Sequence, residues 1–541
     1  MGNERLALLG DEAIALGAIH AGVSAAYGYP GTPSTEILQY LINEQKKDSV
    51  KDAHIARWCS NEKTAYEAAL GVSFAGRRAI VTMKHVGLNV AADPFVNSAL
   101  LKIKGGLVIV VADDPGMHSS QNEQDSRFYA DFAMIPCLEP RNQQEAYNMA
   151  REAFDVSECF NIPVMLRLVT RLAHARAAVE PRPGRNQNKV AKTQEKGSWM
   201  LLPAFARKNY ESLLGKQKIL EEWSYQHPVN KTESGKSSDL AIITSGLGGN
   251  YYEENFHDFL ALRKKQGKGA PAHLHIGAYP LPDKKIRKLY EEADEVLIIE
   301  EGQPFIAKKV FGIVGASLKP IIQAGELDPD NVRKALGLPP RKGINSGTSF
   351  LPPRPPILCQ GCPHTDSYKT INKAVEALDP HPGHPDVAIN SDIGCYSLGA
   401  SPPLSAIESI ICMGACVGMA KGASDAGLKY TLAVIGDSTF IHSGITPLID
   451  AVEADVPMTL IILDNSIVAM TGCQPTIVPS NKLKGLIAGC GVKPERILEL
   501  EAKPNLVDEN AVKLKAEIEH RGLSVVIFKR ECLEAIRKNK K

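Results

Sequence analysis

With 541 residues, 44% apolar and 23% charged, the chain exceeds what one hydrophobic core organises and suggests about three or four domains of an ordinary globular protein. Its formal net charge of +1 leaves no electrostatic footprint for nucleic acid or an anionic membrane surface. The longest apolar runs, such as LVIVVA (107–112), are too short to span a bilayer and read as buried strands.

The start, MGNERLALLG, has no signal-peptide apolar region, and Leu6 stands where a myristoylation motif wants Ser or Thr. Eleven cysteines, an odd set in a chain read as unsecreted, argue against a disulfide framework and for a reduced, cytoplasmic setting. Strand-like runs alternate with helical patterns almost throughout, which predicts an α/β protein with mostly parallel sheets. A first block, 1–180, contains the turn-rich YGYPGTPSTEI (27–37), where Ser34 or Thr35 is placed to cap a helix through Glu36. It also contains NEKTAYE, whose Glu62 reads on its own as a surface helix residue, and the strand GLVIVVA (106–112) ending in ADDPG. A polar stretch opened by PRPGRNQNKVAKTQEKG reads as a linker region over 181–237, irregular throughout. The middle block, 238–339, offers DLAIITSGLGG and EVLIIEE; its glycine loop lacks the full GxGxxG and reads as a tight strand-to-helix turn. A second linker, 340–356, is PRKGINSGTSFLPPRPP.

The third block, 357–541, carries most of the chemistry. It opens with ILCQGCPHTD, and the pair Cys359 and Cys362 is compatible with a zinc half-site, a redox pair or half of a cluster site. Zinc would need two further ligands, and the chain has no second CxxC and no HxxxH. Cys395 in SDIGCY stands at another strand end, and Cys532 follows the last strand in FKREC. In CMGACVGMAKGAS, Gly414, Gly418 and Gly422 recur every four residues, a spacing for close helix packing, and Cys412 and Cys416 read as packing residues. In TLAVIGDSTFIHSGITPLIDAVEADVPMTLIILDN (431–465), one buried strand ends in Gly-Asp-Ser and the next in Asp-Asn. Parallel strands would bring Asp437 and Asn465 to one sheet edge, as oxygen donors suited to Mg²⁺ and a phosphate group. Gly436 would let the backbone approach that phosphate, and the following helix start would supply N–H donors.

This spacing resembles the thiamine-diphosphate signature, GDG followed at a distance by NN, with Ser438 in place of the last glycine and Asp464 in place of the first asparagine. Together with NSDIGCYSLGASPPL, CMGACVGMAKGAS, GYPGTPSTEI, NEKTAYEAALG, TMKHVGLNVAADP and ADDPGMHSSQNEQDSR, it makes the chain similar to the 2-oxoacid:ferredoxin oxidoreductases. The resemblance is greatest to the large, alpha subunits of the indolepyruvate type and runs from about residue 5 to 535. It implies two thiamine-diphosphate folds, pyrimidine-binding (1–180) and diphosphate-binding (357–541), around a transketolase C-terminal-like domain (238–339). Glu62 would hydrogen-bond the aminopyrimidine ring, and the carbonyl of Ile467 would join Asp437 and Asn465 on Mg²⁺. Gly394, Gly414, Gly436 and Ser438 would line the cofactor, and Cys359, Cys362, Cys395 and Cys532 would hold one [4Fe–4S] cluster. Thr32 and His85 become candidates for the substrate pocket.

The activity so implied is oxidative decarboxylation of a 2-oxoacid, an arylpyruvate such as indolepyruvate, to its acyl-coenzyme A. Electrons would leave through the cluster to ferredoxin or another separate carrier, since the cysteine-rich ferredoxin-like domain usual in these subunits is not expected after Cys532. A smaller beta subunit and a hetero-oligomer with dimerised catalytic subunits are further implications. Two other readings stay open: a non-oxidative thiamine-diphosphate decarboxylase or lyase, and a non-catalytic subunit of an oxidoreductase complex.

Overall fold

The structure, a computed structural model, describes residues 5–47, 54–191, 198–199, 201, 203–314, 327–341, 357–379, 381, 384, 386–410, 413–425 and 429–539. The chain divides into two compact units, residues 1–345 and 346–541. Among the described residues no helix is long and apolar enough to cross a membrane.

The first unit is built on a seven-stranded sheet. Across it run Ala278–Tyr279, Cys137–Leu138, Val164–Val169, Leu107–Asp113, Ala79–Lys84, Ala25–Gly28 and Ile55–Trp58, all parallel except the first, which is antiparallel to its neighbour. Leu107–Asp113 is buried along its whole length, because helices cover both faces of the sheet. A second sheet of four strands takes Val296–Ile299, Ala241–Ser245, Ala272–Ile276 and Thr232–Glu233 from the following part of the chain. The glycine loop after Ala241–Ser245 is the expected tight turn. Gly246 adopts a left-handed φ of 46°, and a Cβ there would lie 2.6 Å from Glu139 Oε1.

Two expectations are corrected here. The middle block does not stand apart: it shares a unit with the first block, and its Ala278–Tyr279 completes the first block's sheet. Buried ion pairs reinforce that union. Arg167 donates to Asp113 Oδ2 at 2.7 Å and to Glu139, whose other oxygen accepts from Tyr279 Oη at 2.5 Å. Arg127 pairs with Asp125 at 2.5 Å and with Glu300 at 3.2 Å. Nor is 181–237 irregular throughout, since Pro203–Gln226 is a helix that buries Leu213 and Leu220 with Tyr279 and Phe305. The seven-residue step between those leucines is two helical turns, a weak stripe among many charges. Most of the second linker, 342–356, lies outside the described residues.

The second unit is a six-stranded, fully parallel sheet. Its order is Ser409–Ile410, Val387–Ser391, Tyr430–Gly436, Thr459–Asp464, Ser524–Lys529 and Ile497–Glu501. Helices Pro363–Leu378 and Val507–Ile518 pack Tyr368, Ile371 and Leu514 onto one face. Helices Ala415–Asp425, Ile445–Glu453 and Ser480–Gly489 pack Val417, Leu448 and Leu483 onto the other. Because every strand points the same way, the residues after Ser391, Gly436, Asp464 and Lys529 emerge at one edge, where open parallel sheets bind ligands.

Candidate active site

At that edge Asp437 follows Gly436 and is 7% exposed. Its Oδ1 accepts from Ser438 N at 2.9 Å and its Oδ2 from Ser466 N at 2.9 Å. The same Ser466 N–H reaches Asp464 Oδ1 at 3.1 Å, so one amide sits between two buried carboxylates. Burial first, and then the neighbouring Asp464, push the Asp437 carboxyl well above the usual range. Two buried carboxylates served by neutral amides form a donor set that a divalent cation would satisfy, so the residues fit the expected Mg²⁺. Ser466 takes a left-handed φ of 65°, which turns the chain back so that Ile467 N donates to Asn465 Oδ1 at 3.2 Å. The helix after Asp437 includes a π-turn over Phe440–Gly444, a device that recurs at functional sites.

The glycines expected beside a cofactor have protein partners of their own. A Cβ on Gly394 or Gly436 would lie 2.4 or 2.5 Å from Cε1 of the buried Tyr396 ring. Gly414, at φ 90°, would meet the Cβ and carbonyl oxygen of Ser443, each at 2.5 Å. The close-packing expectation fails at Gly418, which is exposed and has no heavy atom within 4 Å of a Cβ. Cys416 is a buried core residue as expected, and Cys412 lies outside the described residues. The sequence reading missed Asp392, which is fully buried and accepts from Gly414 N at 2.9 Å and Cys416 N at 3.2 Å. It closes the start of helix Ala415–Asp425 and fixes the Gly414 turn.

The four predicted cysteines meet. Cys359, Cys362, Cys395 and Cys532 line one small cavity of about 100 Å³ with Pro363, His364 and Leu533. The opening pair is a tight turn in which Cys362 N donates to Cys359 O at 3.0 Å and Gly361 supplies the left-handed φ of 78°. Cys362 immediately precedes helix Pro363–Leu378, Cys395 begins the short helix Cys395–Ala400, and Cys532 precedes helix Leu533–Asn539. Three of the four sulfurs therefore sit at helix starts, where backbone N–H groups favour an anionic ligand set. Burial first, then Cys362, Cys532, Cys359 and Cys473, push the Cys395 thiol up to about 12; burial also raises Cys362. Both shifts favour the protonated thiol, and a metal would displace the protons of Cys362 and Cys395. Four thiols lining one cavity are the donor set that an iron–sulfur cluster would need. His364, also missed, links the two features: it lines the cavity, and its Nε2 lies 3.2 Å from Asn465 Nδ2. Burial lowers its pKa to about 4, so the ring is neutral and accepts there.

In the first unit, Glu62 opens helix Glu62–Phe74 after Asn61, whose side chain accepts from Thr64 N at 2.8 Å. The isolated reading of Glu62 as a surface residue is wrong, since it is 4% exposed. Its carboxylate lies over Gly87, where a Cβ would come 2.5 Å from Oε1. Beside it is Lys84, a buried cation at the end of Ala79–Lys84 that the sequence reading did not single out. Burial lowers the Lys84 pKa to about 8, against the opposing pull of Asp114 and Glu62. Lys84 Nζ donates to Ser119 O at 3.0 Å, and its stem passes Gly31 with Cδ only 3.1 Å from where a Cβ would be. Ser119 Oγ donates to Thr32 O at 3.1 Å, so Thr32, Lys84 and Glu62 share one neighbourhood. Ser34 and Thr35 do not cap the helix: Ser34 Oγ donates to Gly31 O at 2.8 Å and Thr35 Oγ1 accepts from Gly31 N at 3.0 Å. His85 is buried, its Nε2 lies 3.1 Å from Asn122 O, and its Nδ1 has no hydrogen-bond partner among the described residues.

Comparison with known proteins identifies the family of the chain. Residues 16–238 match the family described as pyruvate flavodoxin/ferredoxin oxidoreductase, thiamine diphosphate-binding. Residues 392–527 match the C-terminal binding domain of thiamine pyrophosphate enzymes. The indolepyruvate oxidoreductase subunit IorA of Archaeoglobus fulgidus is 37% identical, over 98% of this chain and 86% of its own length. The same subunit of Thermococcus kodakarensis is 34% identical, over 98% and 86%. A solved 2-oxoglutarate:ferredoxin oxidoreductase from Magnetococcus marinus shares the fold at a TM-score of 0.52 and 14% identity, covering 62% of this chain and 65% of that one.

Proposed function

We propose, because the chain belongs to the family of indolepyruvate oxidoreductase IorA subunits, that it is the catalytic subunit of a thiamine-diphosphate-dependent 2-oxoacid oxidoreductase of the indolepyruvate type. Its substrate is an arylpyruvate, coenzyme A accepts the acyl group, and a smaller beta subunit completes the enzyme. One observation carries the reading: Asp437, Asn465 and four convergent cysteines stand at the strand-end edge of one parallel sheet.

When bound, thiamine diphosphate supplies the electron sink that decarboxylation of a 2-oxoacid requires. The protein's own part is positioning. Asp437, Asn465 and the carbonyl of Ile467 would hold Mg²⁺, which would bind the cofactor's diphosphate, and Ser438 would stand at the helix start beside it. The tight packing of Gly394, Gly414 and Gly436 against Tyr396 and Ser443 keeps this edge rigid. Glu62, buried beside Gly87, would hydrogen-bond the aminopyrimidine ring. Thr32, Lys84 and His85 face the 2-oxoacid, with Lys84 as the counter-charge for its carboxylate. Cys359, Cys362, Cys395 and Cys532 hold one [4Fe–4S] cluster as the electron exit. His364 couples the metal clamp to that cluster through Asn465. The middle block is assigned to the transketolase C-terminal-like fold.

The test is anaerobic assay of the chain purified with its beta subunit. Indolepyruvate should reduce a low-potential viologen dye only when coenzyme A and thiamine diphosphate are both present. Release of CO₂ and free aldehyde without dye reduction would overturn the oxidative reading.

A further inference from the structure

We propose that the first unit binds a divalent transition-metal ion of the Mn²⁺ or Zn²⁺ kind between Asp11, Glu36 and His174, distinct from the Mg²⁺ assigned to Asp437 and Asn465. Three elements converge there. Helix Gly10–His20 contributes Asp11 from its first turn, helix Thr35–Gln45 contributes Glu36, and the short helix Thr170–His174 contributes His174. One ligand atom from each lies within 4.8 Å of the other two, and His174 Nε2 is 3.6 Å from Glu36 Oε2. Donors gathered this closely fit one ion with bonds of about 2.0–2.2 Å.

The observation that calls for a ligand is Asp11. It is 0% exposed, and neither of its carboxylate oxygens has a hydrogen-bond partner among the described residues; Glu36 Oε2 also has none. Buried polar groups are almost always partnered, and a buried carboxylate without a donor is among the most expensive exceptions. Burial first, then Glu36 and Glu12, hold the Asp11 carboxyl well above the usual range. On Glu36 burial acts upward, but the contact with His174 outweighs it and leaves that carboxyl below its ordinary value. Glu36 and His174 side chains are 41% and 37% exposed, which gives an entry path and room for water on the open positions.

Donor type selects the ion. Mg²⁺ and Ca²⁺ prefer oxygen-only cages, whereas two carboxylates with an imidazole suit borderline ions. Glu36 lies one residue into the helix that follows the Thr32 loop, so the ion staples that loop's helix to the first helix of the chain.

The experiment counts bound Mn²⁺ by the loss of its free-ion EPR signal. It uses the intact purified enzyme, saturated with thiamine diphosphate and excess Mg²⁺ to fill the clamp. Wild type should bind one more Mn²⁺ per chain than Asp11→Asn, and His174→Ala should lose the same ion. Mn²⁺ should also raise the melting temperature of wild type and leave that of Asp11→Asn unmoved. Asn has the shape of Asp, so Asp11→Asn preserves the fold. Equal Mn²⁺ stoichiometry and equal thermal response in wild type and Asp11→Asn would overturn the proposal.

Discussion

Gly87 has no side chain because the Glu62 carboxylate fills the space one would need. Gly87→Ala should therefore displace that carboxylate and lower kcat in step with Glu62→Gln. A loss of about 10²–10⁴-fold is expected where a general acid–base group is removed. Thiamine diphosphate affinity, read by calorimetric titration, should change far less; a Gly87→Ala enzyme with full kcat would detach Glu62 from the chemistry. Asp437→Asn removes one of the two acceptors that serve the Ser438 and Ser466 amides, and Mg²⁺ with thiamine diphosphate should no longer raise the melting temperature as it does in wild type. An equal rise in both proteins would contradict the assignment of Asp437. Asp437, Asn465 and the four cysteines were legible because each follows a strand or opens a short turn. Lys84, Asp392 and His364 were not, because their roles come from partners distant in sequence: Asp114 and Glu62, the amides of Gly414 and Cys416, and Asn465. Glu62 read alone as a surface residue because nothing local announces that Gly87, in the helix His85–Val90, packs over it.

Strand Ala272–Ile276 illustrates the element scale. His273 and His275 alternate onto one face, and Thr244 Oγ1 lies 2.9 Å from His273 Nε2 and 2.8 Å from His275 Nδ1. Burial lowers their pKa values to about 4 and about 3, from an ordinary 6.5. Each folded pKa lies below the unfolded one, so the stability they contribute is complete above about pH 6.5 and is lost as pH falls toward 4. Denaturant titrations of the first unit should show this loss, and His273→Gln with His275→Gln should flatten it; an unchanged pH slope would contradict the account. Strands such as Leu107–Asp113 were readable because uninterrupted apolar runs mark fully covered parallel strands. Helix Pro203–Gln226 escaped because it buries few residues per turn and follows a stretch of linker composition.

At the scale of the whole molecule, the two-unit division depends on charges that composition cannot reveal. Asp113, Asp125 and Arg127 sit in a motif of the first block, Tyr279 and Glu300 in the middle block, and they meet in one buried network with Arg167 and Glu139. Arg167→Met should destabilise the first unit by about 3–5 kcal/mol, because it strands buried carboxylates. Calorimetry should show that transition fall while the transition of residues 346–541 holds, and a common shift of both would contradict independent units. The central claim is that this chain carries electrons away from a thiamine-diphosphate site through its own cluster. The measurement that tests it most directly is iron and acid-labile sulfide on the anaerobically purified enzyme, beside Cys532→Ala. The account predicts about four of each per chain, as a [4Fe–4S] cluster requires, and their loss in the variant. Iron-free protein that is folded and binds thiamine diphosphate would contradict it.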